Sequence, residues 1–357
     1  MKKIIVLALS LCTFIAADEF VEAGTSFGGY GELHYDIEGE GLDFHRFVLF
    51  FNNTWDDTWS FKSEVELEHN MVGSCCGGEL ELEQAYVNYY NGSWGSQAGV
   101  ILMPVGIINE YHEPPTFVSV ERPEYNKRVI PTTWFGNGFN FYGSMDNLDW
   151  KVTMFEDLNG DEISDGIRSA RGKGEKTSAI DWTKSFQLVW TGMEGLRLGG
   201  SYTMNDAPTS AVEASTTHAP VWNETTSTWD VETTIVEEQV AGEIGVKLME
   251  LNGTYSRDNL YARFEYGKID YTDNPSAEST SGYYLDLGYD ISSMVGCEGS
   301  LMPWMRASAY NKDDMGADHE ISLFGLTYKP HSGISYKIEM GESGDKDIMR
   351  MGVGYMF

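Results

Sequence analysis

The sequence is poor in positive charge and in cysteine. Its 357 residues contain 24 Lys and Arg against 55 Asp and Glu, which gives a formal net charge of −31. A protein with a field of this sign repels phosphates, so a nucleic-acid-binding function is not expected. Four cysteines, at positions 12, 75, 76 and 297, do not form the disulfide framework of a small secreted domain.

Long apolar runs are absent beyond the first 17 residues, so no membrane-spanning helix is expected there. Residues 1–17 begin with Lys2 and Lys3, continue with a short apolar stretch and end in Ala16 and Ala17. This pattern predicts a cleaved signal peptide and an exported chain of residues 18–357. Loss of the two lysines would take the net charge from −31 to −33.

Catalytic motifs are also missing. The sequence has no Gly-x-Ser-x-Gly, and its seven histidines are scattered without a nearby nucleophile motif or zinc-ligand spacing. We therefore expect neither an enzyme nor a bound cofactor.

The sequence contains many segments in which apolar residues alternate with polar or small residues, with a period of two. Near the end of the chain, Met349, Met351, Val353, Tyr355 and Phe357 are separated by small or charged residues. A strand between lipid and water has this pattern. Comparable segments lie at 26–36, 42–55, 58–69, 80–90, 96–105, 138–146, 148–156, 181–192, 195–204, 238–255, 258–271, 281–292, 300–311, 319–329, 332–341 and 346–357.

The connections between these sixteen segments alternate between short turns and long loops. A soluble β-sandwich has no reason to sort its loops in this way, whereas a membrane barrel has turns on the periplasmic side and loops outside. The sequence therefore predicts an all-β protein, a sixteen-stranded antiparallel transmembrane β-barrel in a bacterial outer membrane.

The third long loop, about 105–137, is rich in proline: five of the ten prolines lie between 104 and 131. Together with Gly-Tyr-Gly-Glu at 29–32, His-Arg-Phe-Val at 45–48, Glu-Val-Glu-Leu-Glu-His at 64–69 and Glu-Gln-Ala-Tyr-Val at 83–87, it resembles the phosphate-selective porin O and P family. The resemblance is dense over residues 27–150. It implies that the third extracellular loop folds into the lumen, that small hydrophilic solutes or ions diffuse passively through the barrel, and that the porin is a homotrimer.

The C-terminal pattern resembles the assembly signal of bacterial outer-membrane barrels. Tyr355 and Phe357 would carry this signal to the barrel-assembly machinery, and outer-membrane lipid would surround the finished barrel.

Charged residues of the third loop and of the inward strand faces are the candidate pore residues, because a narrow protein-walled path weakens the screening by water. The predicted constriction comprises Glu110, His112, Glu113, Glu121, Arg122, Glu124, Lys127 and Arg128. The predicted pore wall comprises Glu32, Lys62, Glu64, Glu66, Glu68, Arg197, Arg263, Glu265, Arg306, Lys337, Glu339 and Arg350. We expect a basic wall facing an acidic loop, although many of these charges could instead pair or anchor the loop.

Three questions stay open on the sequence. The family's name implies anion selectivity, whereas the net charge and the Glu64, Glu66, Glu68 ladder favour cations. Asp157, Asn159, Asp161 and Asp165 have the oxygen spacing of a calcium loop, but Arg168 stands where an EF-hand places its bidentate acid, and an acidic outer loop is the simpler interpretation. The alternative function is a structural or adhesive surface barrel whose long acidic loops bind partners or calcium.

Overall fold

The computed structural model describes residues 23–73, 76–211, 213–236, 240–312 and 318–357. The predicted signal peptide and Cys75 lie outside these ranges. Sixteen strands form one closed antiparallel barrel, which confirms the predicted architecture. The strands are β1 (Gly24–Asp36), β2 (Gly41–Thr54), β3 (Trp59–Glu68), β4 (Leu80–Tyr90), β5 (Trp94–Leu102), β6 (Phe135–Met145), β7 (Leu148–Phe155), β8 (Thr183–Met193), β9 (Leu196–Pro208), β10 (Glu243–Arg257), β11 (Leu260–Thr272), β12 (Ser279–Tyr289), β13 (Ser300–Lys312), β14 (His319–His331), β15 (Ile334–Ser343) and β16 (Lys346–Met356).

The barrel closes where β1 pairs with β16. The register runs from Tyr30 opposite Met356 to Asp36 opposite Arg350. Beyond β16, the backbone N–H and C=O of Phe357 each form a hydrogen bond with Gly29, at 2.9 and 3.0 Å. The terminal aromatic residue therefore extends the seam that leaves no open sheet edge.

The two faces of each strand are inverted relative to a soluble protein. In β8, the polar side chains of Thr183, Ser185 and Gln187 are buried, while the apolar side chains of Phe186 and Trp190 are 45% and 37% exposed. An apolar outer band around a polar interior is what a barrel in a lipid bilayer requires.

The turns on one side are tight except for residues 290–299, which contain a short helix. Between β10 and β11, Asp258 and Asn259 have φ values of 51° and 68°, as a type I′ hairpin turn requires at its two central positions. The opposite connections include both the two-residue turn at 344–345 and the long segment 103–134. Two of them carry additional hairpins: Val72–Gly73 with Cys76–Gly77, and Ser215–Asn223 with Thr228–Val236.

Three short α-helices, α1 (Ile107–Glu110), α2 (Tyr125–Arg128) and α3 (Ser292–Val295), and two 3-10 turns, Pro114–Thr116 and Gly160–Glu162, complete the described chain. No helix within the described ranges is long and apolar enough to span a bilayer. The largest apolar cluster joins residues 103–134, the β7–β8 connection and the inner faces of β9–β12. It includes Ile101, Met103, Ile108, Phe117, Tyr125, Trp134, Phe155, Ile167, Leu248, Ile269 and Tyr284.

Candidate functional site: the inner segment and its wall

Residues 103–134, which we call the inner segment, connect the end of β5 to the start of β6. Their hydrogen bonds and ion pairs run to side chains of β1, β3, β4, β7, β8, β11, β13, β14 and β15. A single segment can reach strands this far apart around a closed barrel only from inside it.

Glu265 of β11 holds the beginning of the inner segment. Its Oε1 accepts hydrogen bonds from the backbone N–H groups of Ile107 and Ile108, at 2.9 and 3.1 Å, and from the Tyr284 hydroxyl at 2.9 Å. Gly106 precedes α1 with φ 77°, and a Cβ there would lie 2.9 Å from Glu265 Oε2. A carboxylate at the N–H end of α1 satisfies donors that have no partner within the helix.

Cations hold the proline-rich part of the inner segment. Lys337 Nζ donates to the carbonyl oxygens of Pro114 and Ser119, both at 2.7 Å, and Lys329 Nζ donates to Pro115 O at 2.6 Å. Arg263 Nη2 donates to a further carbonyl, that of Thr116, at 2.8 Å. Proline lacks an N–H, so this stretch presents mostly acceptors, and lysine and arginine are donors only.

Glu110 contacts the wall on another side of the barrel. Its carboxylate pairs with Lys151 Nζ of β7 and accepts a hydrogen bond from Gln187 Nε2 of β8 at 2.6 Å. Burial opposes ionisation of Glu110, but the positive charges of Lys151 and Arg197 outweigh it and lower the pKa of its carboxyl. Arg197 also lies over the Tyr111 ring, 5.7 Å from its centroid.

His112 faces two acidic side chains of the wall. Its Nε2 lies 3.4 Å from a carboxylate oxygen of Glu64 on β3 and 3.4 Å from one of Glu83 on β4. Burial opposes protonation of the ring, but the two carboxylates outweigh it and raise the pKa of His112 to about 10.

The other predicted constriction residues fall into two groups: some form contacts that hold the inner segment, and the others lie at its surface. Glu121 pairs with His34 Nδ1 at 2.8 Å, and Arg122 Nη2 donates to His112 O at 3.4 Å. Glu113 is half-buried. Glu124 pairs with Arg128 along α2 at 3.2 Å, and Lys127 is exposed, so this group lies at the surface of the inner segment.

Most of the predicted wall residues do not line open water. Those buried beneath the inner segment or in wall ion pairs are Glu32, Glu64, Glu66, Arg263, Glu265, Arg306, Lys337 and Glu339. Those that keep partial exposure are Lys62, Glu68, Arg197 and Arg350. Arg306, for example, forms a bidentate pair with Asp286 at 2.6 and 2.7 Å and donates to Ser119 Oγ at 2.9 Å.

The predicted calcium ligands form hydrogen bonds and an ion pair with other residues. Asp157 accepts hydrogen bonds from Ser178, Ile180 and Asn205, and Asp161 accepts from the Ser210 backbone. Asn159 accepts from the Asp161 N–H, and Asp165 pairs with Lys312 Nζ at 2.8 Å. Within the described ranges these carboxylates do not converge on one point. Calcium binding by this loop stays a prediction.

Sequence reasoning missed Glu83, Lys151 and Gln187 as site residues. Lys151 and Gln187 follow the period-two pattern and could have been found from it. Glu83 breaks the pattern, because the register between β3 and β4 shifts after Glu64 and leaves Glu83 as the extra residue of a β-bulge. As a result Glu83 and Gln84 are both buried.

Comparison with known proteins identifies the fold and the family. The family model of phosphate-selective porin O and P matches residues 25–296. The chain belongs to this family. A relative in Aquifex aeolicus (strain VF5), described as an uncharacterized protein, is 28% identical over 380 residues, which cover 94% of this chain and 81% of that one.

Three solved structures share the fold of this family member at low identity. Salmonella typhi OmpF in complex with daunomycin gives a TM-score of 0.61 at 10% identity, covering 95% of this chain and all of that one. The anion-selective porin from Comamonas acidovorans gives 0.59 at 10%, covering 94% and 100%. A loop L8 deletion mutant of OmpT, an outer membrane protein of Vibrio cholerae, gives 0.58 at 13%, covering 94% and 99%. Family and fold indicate an outer-membrane channel rather than an enzyme.

Proposed function

We propose that this porin passes small hydrophilic solutes by passive diffusion, that its narrowest path lies between the inner segment and strands β3–β9, and that the path favours small anions. The support is the distribution of burial. Arg263, Arg306 and Lys337 of β11, β13 and β15 are buried, whereas Lys151 of β7 has a side chain that is 31% exposed. Water can therefore approach the wall on the β3–β9 side.

On the inner faces of β3, β7 and β9, cations outnumber acids among the partly exposed side chains of the described residues. The cations are Lys62, Lys151 and Arg197, and the acids are Glu68, at the outer end of β3, and Asp149, which accepts a hydrogen bond from Ser144. Glu81 of β4 is also partly exposed but pairs with Lys173. Acidic residues such as Glu38, Glu40 and Glu232 lie exposed in outer connections. In a narrow path the nearest charges dominate the field, because more distant ones are screened by salt within about 8–10 Å.

The test is the reversal potential of the purified protein in a planar bilayer under a tenfold potassium chloride gradient. We expect stepwise conductance with an anion-signed potential. Lys151→Gln should shift the potential toward cations, because it also uncovers the Glu110 carboxylate. The control Lys346→Gln, at an exposed outer position, should not shift it.

A cation-signed potential for the unmodified protein would contradict the proposed selectivity. Folded barrels that give no conductance steps would contradict the diffusion function and favour the structural or adhesive alternative.

We further propose a homotrimer, assembled by the barrel-assembly machinery and surrounded by outer-membrane lipid. In vitro folded OmpT of Vibrio cholerae, which shares the fold, was solved in a trimer form. The molar mass of the detergent-solubilised protein from light scattering would test this. A monomer mass under non-denaturing conditions would contradict it.

A further inference from the structure

Glu64, Glu83 and His112 form a buried cluster between the wall and the middle of the inner segment. Their exposed fractions are 2%, 0% and 2%. One ligand-capable atom from each lies within 4.8 Å of the others. The three residues come from β3, β4 and the inner segment, so only the folded barrel brings them together.

Four polar atoms of the cluster lack a hydrogen bond within the described ranges. In the part of the chain that the structure describes, His112 Nε2, Glu64 Oε1 and both carboxylate oxygens of Glu83 form no hydrogen bond of good geometry; His112 Nε2 only faces Glu64 Oε1 and Glu83 Oε2 at 3.4 Å. Leaving a buried polar atom without a hydrogen bond is unfavourable, and more so when the group is charged. A native barrel that keeps four such atoms at one point is expected to hold something there.

The remaining atoms of these side chains are oriented as in a metal site. His112 Nδ1 lies 3.2 Å from the carbonyl oxygen of Asn109, so an Nδ1–H there leaves the Nε2 lone pair directed at the carboxylates. Gln84 Nε2 donates to the other oxygen of Glu64. Outer-shell hydrogen bonds of this kind fix the tautomer and orientation of metal ligands.

The local charge also favours a cation. Glu32, Glu64, Glu66 and Glu83 are all buried, and Arg46 pairs with Glu32 at 2.7 Å and Glu66 at 2.8 Å. Glu64 and Glu83 face His112, and Glu83 also lies close to Glu66 and Glu81. Two buried carboxylates with a single imidazole remain short of positive charge unless a cation joins them.

We propose that Glu64, Glu83 and His112 bind one divalent ion of the zinc class, which ties the middle of the inner segment to β3 and β4. Tetrahedral bonds of about 2.0–2.1 Å place neighbouring ligand atoms about 3.3–3.4 Å apart, and both Nε2–carboxylate distances are 3.4 Å. A nitrogen ligand favours zinc over calcium or magnesium, which prefer oxygen. Three protein ligands leave the fourth position to water.

The experiment measures zinc in the full-length folded protein, stripped with a chelator and then titrated with zinc chloride. We expect one tightly bound zinc per chain and no competition from millimolar magnesium. Glu83→Gln and His112→Gln should weaken binding by at least about a hundredfold, since loss of an outer-shell partner alone costs about 10- to 100-fold. Heat-modifiability on gels verifies that each variant is folded.

The matched control is His69→Gln. His69, Asp43 and His45 form another group whose ligand atoms lie close together, near the outer ends of β2 and β3. Loss of zinc in His69→Gln with retention in His112→Gln would overturn the proposal. So would stripped protein that takes up no zinc, which would mean that protons neutralise the cluster.

Cobalt substitution gives a readout that a purely structural role of Glu83 would not change. The visible absorption bands of tetrahedral cobalt should appear with the unmodified chain and disappear in folded Glu83→Gln. Bands that persist unchanged in this variant would exclude Glu83 as a ligand. Because neither measurement uses conductance, a negative result here is distinguishable from failure of the proposed diffusion function.

Discussion

Replacement of Glu265 by alanine should release the beginning of the inner segment without opening the barrel. The carboxylate accepts hydrogen bonds from two backbone N–H groups, those of Ile107 and Ile108, and from the side chains of Asn126 and Tyr284. All five residues are buried. The substitution therefore removes one side chain and leaves several buried donors without a partner.

The expected loss of stability follows from the two backbone N–H groups that lose their acceptor. Leaving one buried donor without a partner costs about 1–3 kcal/mol, so leaving both without one should destabilise the closed position of α1 by about 3 kcal/mol. Since about 1.4 kcal/mol is a factor of ten in an equilibrium, local opening should become about 100-fold more frequent.

Amide hydrogen exchange measured by mass spectrometry on the folded barrel in detergent tests this. Peptides covering residues 103–112 should exchange about 100-fold faster in Glu265→Ala, while those of β9 should not change. Glu250→Ala is the matched control, because Glu250 is equally buried on the adjacent β10 but is hydrogen-bonded to Ser201 and Asn252 of the wall. Equal exchange in both variants, or unchanged exchange in Glu265→Ala, would refute the anchoring role.

Other substitutions test other contacts of the inner segment and the barrel seam. A Cβ at Gly354 would lie 2.4 Å from Pro114 Cβ. Gly354→Ala should therefore displace the proline turn and change the single-channel conductance. A conductance equal to that of the unmodified protein would argue against close packing between Gly354 and Pro114. The pKa of Glu110 is lowered in the fold. Its pairing with Lys151 therefore stabilises the inner segment fully above about pH 4.3, the ordinary pKa of glutamate. This stabilisation is lost as the pH falls through the lowered pKa of the folded state. Current fluctuations should therefore increase below about pH 4, and Glu110→Gln should show them already at neutral pH; fluctuations that are the same in both proteins at each pH would contradict this. Deletion of Phe357 removes the hydrogen bonds that extend the seam and should lower the yield of heat-modifiable barrel in cells, whereas an unchanged yield would disprove the assembly role.

The strands could be predicted because lipid imposes one simple rule on every one of them. Each must alternate apolar and polar side chains over about ten residues, and all sixteen predicted segments correspond to strands of the barrel. The largest difference at a strand end is at β10, predicted from 238 and found from Glu243. The outer hairpin of residues 215–236 was not predicted, because a hairpin outside the membrane has no lipid face and so does not follow the rule.

The site was harder to predict because it depends on exceptions to that rule. β-Bulges leave His45 and Glu83 as extra residues, which reverses the direction expected for the side chains around them. A search by ligand spacing also fails for Glu64, Glu83 and His112, since residues 19 and 29 positions apart meet only through the closed barrel and the inner segment. The expectation that no cofactor binds rested on such spacing, and the proposed zinc site departs from it.

The zinc site and the selectivity of the path are physically coupled through β3. Lys62 and Glu64 lie two residues apart on the same inner face, so the charge at the cluster acts on ions that pass Lys62. With zinc bound, the charge of Glu64 and Glu83 is balanced; without it, a net negative group borders the path. Removal of zinc by a chelator should therefore shift the reversal potential toward cations, and zinc should restore it. Glu83→Gln should not respond to the chelator, and an equal response of this variant and the unmodified porin would place the metal effect elsewhere. A net charge of −31 thus does not decide the selectivity, because the few charges that face the path do.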